Sequence, residues 1–173
     1  MVRWLDMADE NEWTFLGSTE LGVAGNAIDV TGLAVKKLLQ VLITTIPTGA
    51  AFVEIFLRFN NDTDSKYRRR TSINGGSDTT DGGAQTRLEF REDYDGAFIV
   101  ADISNVNGEE KLIIGHQVYI DTVGAGNAPD RVELVGKYVP TALTTDIDEV
   151  NIDNTYGGNN FDVGSSVDVA GAD

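Results

Sequence analysis

The amino-acid sequence predicts an all-β protein, and three observations carry this prediction. Apolar residues recur with a period of two rather than the 3.6 of a helix. Clusters of Gly, Asn and Asp, which favour turns, separate the alternating segments at the spacing of a sandwich or barrel. The length of 173 residues suits one domain with its own core. We therefore expect a jelly-roll-type antiparallel β-sandwich of about eight strands.

Residues 52–59 give the clearest strand, because one face is fully apolar while the other is mixed. The apolar row consists of Val53, Ile55, Leu57 and Phe59. Comparable alternation predicts strands in residues 37–46, 85–92, 97–106, 111–121 and 131–139, and two late strands in residues 146–152 and 161–169. In residues 111–121 one face consists of Leu112, Ile114, His116, Val118 and Ile120.

Residues 1–26 differ from the rest of the chain and are assigned to an N-terminal arm, with a candidate first strand in residues 13–16. They contain both tryptophans, Trp4 and Trp13. Arms exchanged between subunits are a common route to oligomers, whereas the alternative is a frayed terminus. Residues 27–173 are assigned to a single β-sandwich domain.

The net charge of −15 limits the partners of the chain. Such a surface repels nucleic acid, so we expect no nucleic-acid partner. Aspartate outnumbers glutamate 18 to 10, and only five residues are lysine. High acidity with little lysine is typical of proteins that stay hydrated in concentrated salt; the alternative is an ordinary acidic protein.

Residue usage excludes several kinds of chemistry. The chain has no cysteine, which excludes disulfides, thiolate catalysis and Cys-ligated zinc. Its single histidine, His116, excludes a multi-histidine metal site. No apolar segment is long enough to cross a bilayer, so we expect no membrane partner.

Asn60, Asp62 and Asp64 have the 1-3-5 spacing of calcium ligands. An EF-hand loop would continue with Gly at the sixth position and Glu at the twelfth, where this chain has Ser65 and Thr71. A polar turn between two strands is therefore favoured, and a surface cation site is the alternative.

Two further features lack a catalytic context. The only basic cluster is residues 68–70, three consecutive arginines, which either face acids of a neighbouring subunit or pair within their own sheet. His116 lies in an apolar strand, where a core or interface histidine is more common than a catalyst. We assign no catalytic, cofactor-binding or metal-ligating residue, and we expect no cofactor and no enzymatic activity.

Two segments resemble structural proteins of tailed viruses of bacteria and archaea. Residues 57–67 end a strand in Arg-Phe-Asn, continue through an Asp-containing turn and reach a Tyr that opens the next strand. Residues 145–169 combine an isoleucine-containing strand, a loop, a Phe, a Gly-Ser pair and a final apolar strand. The similarity covers roughly residues 37–170. It departs at the end, where Val169-Ala-Gly-Ala-Asp173 replaces the usual Tyr-Gly.

The resemblance implies a β-sandwich of the virion, in a head-decoration, tail-fibre or tail-tip protein. The acidity points to an archaeal virus of a salty habitat. Because few residues precede the sandwich, we expect a many-copy head protein rather than a long fibre. The implied partners are further copies of the chain, with a trimer favoured over a pentamer, and virion proteins such as the major capsid protein or tail proteins. The alternatives are a tail-tip or receptor-binding module and a carbohydrate-binding β-sandwich.

The charge predicts higher stability in molar salt. At 1 M salt the Debye length falls to about 3 Å, which removes most of the repulsion between like charges. We expect the melting temperature to rise between about 0.1 and 2 M NaCl, measured by scanning calorimetry. Sucrose, which is excluded from protein surfaces but screens no charge, is the control. A melting temperature that stays flat or falls with NaCl contradicts the halophilic interpretation.

Overall fold

The computed structural model describes residues 12–49, 52–91, 95–155 and 159–173. Within these ranges the chain forms twelve β-strands and no helix. The strands are β1 Thr14–Glu20, β2 Ala27–Thr31, β3 Leu38–Thr45, β4 Phe56–Phe59, β5 Tyr67–Ile73, β6 Thr79–Thr80, β7 Leu88–Glu89, β8 Ala97–Ser104, β9 Lys111–Tyr119, β10 Asp130–Tyr138, β11 Glu149–Asp153 and β12 Ser166–Ala172.

The strands form two antiparallel sheets packed as a sandwich, which confirms the predicted fold class. The large sheet has eight strands in the order β1-β12-β3-β8-β9-β10-β5-β6. The small sheet has four, in the order β2-β11-β4-β7. The described ranges contain no helix that is long and apolar enough to span a membrane.

Eight of the strands pair as a doubled ribbon. The pairs are β1 with β12, β2 with β11, β3 with β8, and β4 with β7. Along the chain β1 to β4 alternate between the two sheets, β4 and β7 follow one another in the small sheet, and β8, β11 and β12 alternate again. Four further strands, β5, β6, β9 and β10, extend the large sheet beyond β8.

The core lies between the two sheets and is built from the inward positions of the alternating strands. The row of Val53, Ile55, Leu57 and Phe59 has no solvent-exposed area, which confirms that it faces the core. On the opposite side of β4, Phe56 is also buried, because the Arg87 guanidinium covers its ring with Cζ 3.6 Å from the centroid.

Residues 85–91 cover the inner face of strands β5, β6, β9 and β10, here called the extension. The Phe90 ring lies where a side chain at Gly115 would be, since a Cβ there would be 2.8 Å from Phe90 Cζ. Leu88 fills the corresponding space at Gly136, 2.9 Å from a hypothetical Cβ. The Gln117 side chain accepts a hydrogen bond from the Arg91 amide (2.8 Å) and donates one to its carbonyl (2.9 Å). Two glycines and one glutamine therefore shape the seat for this segment.

The N-terminal assignment changes in one respect. The candidate first strand in residues 13–16 is real, but it extends to Glu20 and pairs with β12, so it is part of the ribbon. The second strand, β2, was not expected: it has five residues, and only Ile28 and Val30 signal its buried face. Residues 1–11 lie outside the described part of the chain.

Several strand boundaries also differ from the predicted ones. The strand in residues 52–59 is regular only over β4, the strand in residues 85–92 only over β7, and the strand in residues 146–152 begins at Glu149. The last strand begins at Ser166 rather than at residue 161, because a turn with Gly164 at φ +87° precedes it. It then runs to Ala172 between β1 and β3.

We predict that Leu57→Ala lowers the free energy of unfolding by about 2–5 kcal/mol, since the substitution leaves a cavity in a core without exposed area. Chemical denaturation monitored by tryptophan fluorescence measures the change. The matched control is Leu143→Ala, at a partly exposed leucine, which should change stability by less than about 0.5 kcal/mol. A loss below about 1 kcal/mol for Leu57→Ala contradicts the core assignment.

Candidate docking surface

The outward face of the large sheet, here called the outer face, is unusually apolar. In a sandwich this side of a sheet is normally polar, because it meets solvent. Here six large apolar side chains on four neighbouring strands are each between 44% and 57% exposed. They are Leu38, Phe98, Leu112, Ile114, Val118 and Val135.

Strand register makes these side chains one continuous patch. Ile114 of β9 lies beside Val135 of β10, and Val118 lies beside Phe98 of β8. Four strands about 4.8 Å apart, each contributing about 24 Å of length, give an area of roughly 460 Å², within which Asp102, His116 and Glu133 are also exposed. This area lies within the range for the largest apolar patch of a monomer, about 300–600 Å². Patches of this size commonly mark interaction sites.

A groove of about 500 Å³ opens at one end of the outer face. Trp13 lines it together with apolar side chains that include Leu38, Leu112 and Ile114. Trp13 is 48% exposed, so it belongs to this surface and not to the core of its own protomer. Residues 1–11 precede this position and lie outside the described ranges, so the exchange of an N-terminal arm stays a prediction.

Charges are distributed unequally across the outer face. Asp168 of β12 and Asp102 of β8 lie on one side of its centre. Arg68, Arg70 and Lys137 lie on the other side, on β5 and β10, where Glu133 is the acid and Lys137 pairs with Glu110 at 2.8 Å. The order of strands therefore separates an acidic side from a basic side, with the apolar patch between them.

The arginine cluster divides between the two faces of β5. Arg69 points inward and pairs within the chain, with Asp81 (3.1 Å) and with Glu89 (3.4 Å). Arg70 lies on the outer face, where its pair with Asp78 at 3.4 Å is exposed. Arg69 therefore pairs within the chain, but with a loop residue and with β7 of the small sheet and not within its own sheet, while contact of Arg68 and Arg70 with a neighbouring subunit stays a prediction.

His116 is an exposed residue of the outer face, beside Val100 of β8 and Glu133 of β10. The core interpretation of His116 is therefore wrong, and the interface interpretation stays a prediction. The apolar face of β9 was the stronger sequence signal, yet it points to solvent. The inward positions, Lys111 and Gln117 among them, complete the core through polar bonds instead.

Lys111 is a buried lysine that sequence reasoning missed. Its side chain has no exposed area, and Nζ donates a hydrogen bond to the Val106 carbonyl at 2.7 Å. Burial lowers the Lys111 pKa, while Asp146, 4.0 Å away, and Glu109 oppose this shift. Its place at an inward position of β9 was the available signal.

The turn formed by residues 60–64 uses its oxygens for hydrogen bonds. Asp62 Oδ1 accepts from the Asp64 amide at 2.9 Å, and Oδ2 accepts from Lys66 Nζ (2.8 Å) and the Tyr138 hydroxyl (2.9 Å). Asn60 Oδ1 accepts from two backbone amides, those of residues 148 and 149. The arrangement favours the interpretation as a polar turn. No cluster of three or more potential metal-ligating side chains occurs in the part of the chain that the structure describes.

Asp62 also connects this turn to a buried aromatic cluster. Tyr67 and Tyr138 stack with centroids 4.8 Å apart, and Phe59 lies 5.7 Å from the Tyr138 ring. Burial raises the pKa of both tyrosines, and for Tyr138 the hydrogen bond to Asp62 adds to the rise. Both hydroxyls therefore stay protonated, and the cluster acts as a structural junction between β4, β5 and β10.

A second polar cluster lies on the outward side of the small sheet. Arg58 pairs with Asp153, and Asn151 donates to Asp29 (2.9 Å) and to Glu149 (2.6 Å). Burial raises the pKa of Asp153, although the Arg58 cation opposes this. Each of the three carboxylates thus has a partner on its own sheet, which is the pattern of cross-strand stabilisation.

Comparisons with protein-family models, curated proteins and solved structures found no match to this chain.

We predict that Asp62→Asn lowers the free energy of unfolding at pH 7 by about 1.5–3 kcal/mol, the range for hydrogen bonds to a charged group. Burial alone would raise the Asp62 pKa, but hydrogen bonds from Lys66, Asp64 and Tyr138 outweigh it, and the net pKa is lowered. A lowered folded pKa gives stability above the unfolded pKa of about 3.9, and this stability is lost as pH falls through the folded value. The difference between variant and wild type should therefore shrink below about pH 4.

Urea denaturation at a series of pH values measures this difference. Asp64→Asn is the matched control, because its side chain also contacts Lys66 but is 73% exposed, against 13% for Asp62. It should cost less than about 1 kcal/mol. Equal losses for the two variants, or a loss for Asp62→Asn that is independent of pH, would show that the junction does not depend on the Asp62 charge.

Proposed function

We propose that this protein is a non-enzymatic structural component of a virion, as a capsid decoration or surface projection that acts by oligomeric docking. The single observation that carries the proposal is the apolar outer face of the large sheet. A side of a sheet that should be polar in a monomer instead carries six large exposed apolar side chains over an area of roughly 460 Å². Such a surface is stable in water when another protein covers it.

The size of the face favours docking in many copies. Covering about 400 Å² of apolar surface contributes on the order of 10 kcal/mol. The loss of translational and rotational freedom on association costs about 4–15 kcal/mol. One such contact is therefore weak alone, and symmetric repetition on a particle would make it effective.

The proposed partners follow from the surface and from the resemblance to tailed-virus proteins. They are further copies of the chain, with a trimer favoured on that resemblance, and a shell or tail protein of the particle. Nucleic acid is disfavoured by the charge of −15. A tail-tip or receptor-binding module would use the same fold, so fold does not separate it from a decoration protein.

Exposed aromatic side chains favour a second candidate function, carbohydrate binding. Trp13, Phe15 and Phe98 are each about half exposed or more. Flat aromatic rings are the surfaces on which sugar rings stack, and Trp13 lines the groove. A glycan array with wild type and Trp13→Ala separates the two functions: binding that the substitution abolishes supports carbohydrate recognition.

The proposal predicts that the protein is part of purified virus particles from the culture that carries the gene. Quantitative mass spectrometry, calibrated with labelled peptides, gives its copy number relative to the major capsid protein. A ratio equivalent to hundreds of copies supports decoration, and a few to a few dozen supports the tail. Particles that lack the protein, prepared beside a control capsid protein that is detected, contradict the virion assignment.

A further inference from the structure

We infer that the outer face of the large sheet binds the same face of a second copy of this chain, related by a two-fold axis parallel to β8 and β9. This inference rests on one part of the proposed function, namely that the outer face is a docking surface. It names the occupant of that surface, which is the protein itself.

The first argument is size. The flat area of the patch, roughly 460 Å², is more than half of the value of about 800 Å² that each partner buries in a standard protein interface. The flanking charged side chains add the remainder. A second sandwich of the same width can cover this area, because sheets pack face to face at about 10 Å.

The second argument is charge complementarity. Across the centre of the large sheet the strands run β12-β3-β8 on one side and β9-β10-β5 on the other. A two-fold axis along the strands places the β12 side of one copy against the β5 side of its partner. Asp168 of β12 then lies against β5, which carries Arg68 and Arg70, whereas Asp102 of β8 lies near the axis and faces β9 of the partner.

The alternative two-fold axis, perpendicular to the strands, places acids against acids and arginines against arginines. Like charges in contact cost several kcal/mol at an interface, whereas opposite charges fix the register. On a chain with net charge −15, Arg68 and Arg70 of β5 give the outer face a region of opposite charge. The contact is isologous and gives dimers, so a trimer would need a second, different contact.

The chain has no cysteine, so single cysteine variants can test this geometry without background. His116 is exposed on β9, next to the inferred axis, and His116→Cys places two thiols across the interface. A bis-maleimide reagent about 10 Å long should join them, since packed sheets are about 10 Å apart. Ser77→Cys, in the exposed loop after β5 and far from the axis, is the control and should give little cross-linked dimer.

Sedimentation of the full-length protein at about 100 μM in molar salt gives the assembly state, and a dimer or an even multiple is expected. Ile114→Asp should raise the dissociation constant by about tenfold or more, because it buries a charge in the apolar patch. Val163→Asp, the same change at an exposed valine outside the outer face, should leave it unchanged. Circular dichroism of both variants shows that the fold is kept.

Three outcomes would overturn the inference: a monomer at this concentration, an assembly that Ile114→Asp leaves intact, or equal cross-linking at residues 77 and 116. A monomer that dimerises only after deletion of residues 1–11 would assign the face to the N-terminal segment of the same chain. The inference and the proposed function fail separately. A dimer through the outer face in a protein absent from particles removes only the virion assignment.

Discussion

The rest of the structure depends on how the two faces of the wide, eight-stranded large sheet are covered. Four strands of the small sheet lie against an eight-stranded partner, so the small sheet cannot cover the whole inner face. Residues 85–91 complete the cover, and they fit only because Gly115 and Gly136 leave space for Phe90 and Leu88. The outward side of the large sheet has no such cover within the described ranges, so its large apolar side chains are exposed.

Polar bonds add to the aromatic packing that joins the extension, strands β5, β6, β9 and β10, to the ribbon of paired strands. Asp62 lies in the turn after β4 and bonds Tyr138, the last residue of β10, while Lys66 and the Asp64 amide hold its carboxylate. Gln117 performs a comparable task for the backbone at Arg91. Burying such polar groups costs free energy unless they form hydrogen bonds. Here both carboxylate oxygens of Asp62 accept hydrogen bonds, and the Gln117 side chain bonds through its oxygen and its nitrogen.

The sequence predicted what depends on local periodicity. The period of two gave the fold class, and the row from Val53 to Phe59 was placed correctly because its partner row includes Glu54 and Arg58. Periodicity alone does not orient β9, where apolar Ile114 and Val118 share the predicted face but that face points to solvent. There the inward row contains Lys111, Gly115 and Gln117, whose suitability for burial depends on partners distant in sequence.

The sequence predicted only separate parts of the candidate docking surface. Trp13 and the arginine cluster were recognised as interface residues in character, but nothing local shows that they share one face with Phe98 and Leu112. That relation is set by strand order, which places β12, β3, β8, β9, β10 and β5 side by side. Strand order depends on pairings across more than a hundred residues, such as Leu39 with Gly171, and periodicity carries no information about them.

The central position of the final strand has a consequence for biosynthesis. β12 separates β1 from β3, so β1 has no hydrogen-bonding neighbour in the large sheet until residues 166–172 have been made. A ribosome-bound chain lacking residues 166–172 therefore exposes an open edge on β1 and another on β3. The large sheet cannot close progressively from its first strand, and its slow, non-local closing step waits until residues 166–172 have left the ribosome. An acidic chain is well suited to that interval, since its mutual repulsion keeps unpaired edges of neighbouring nascent chains apart.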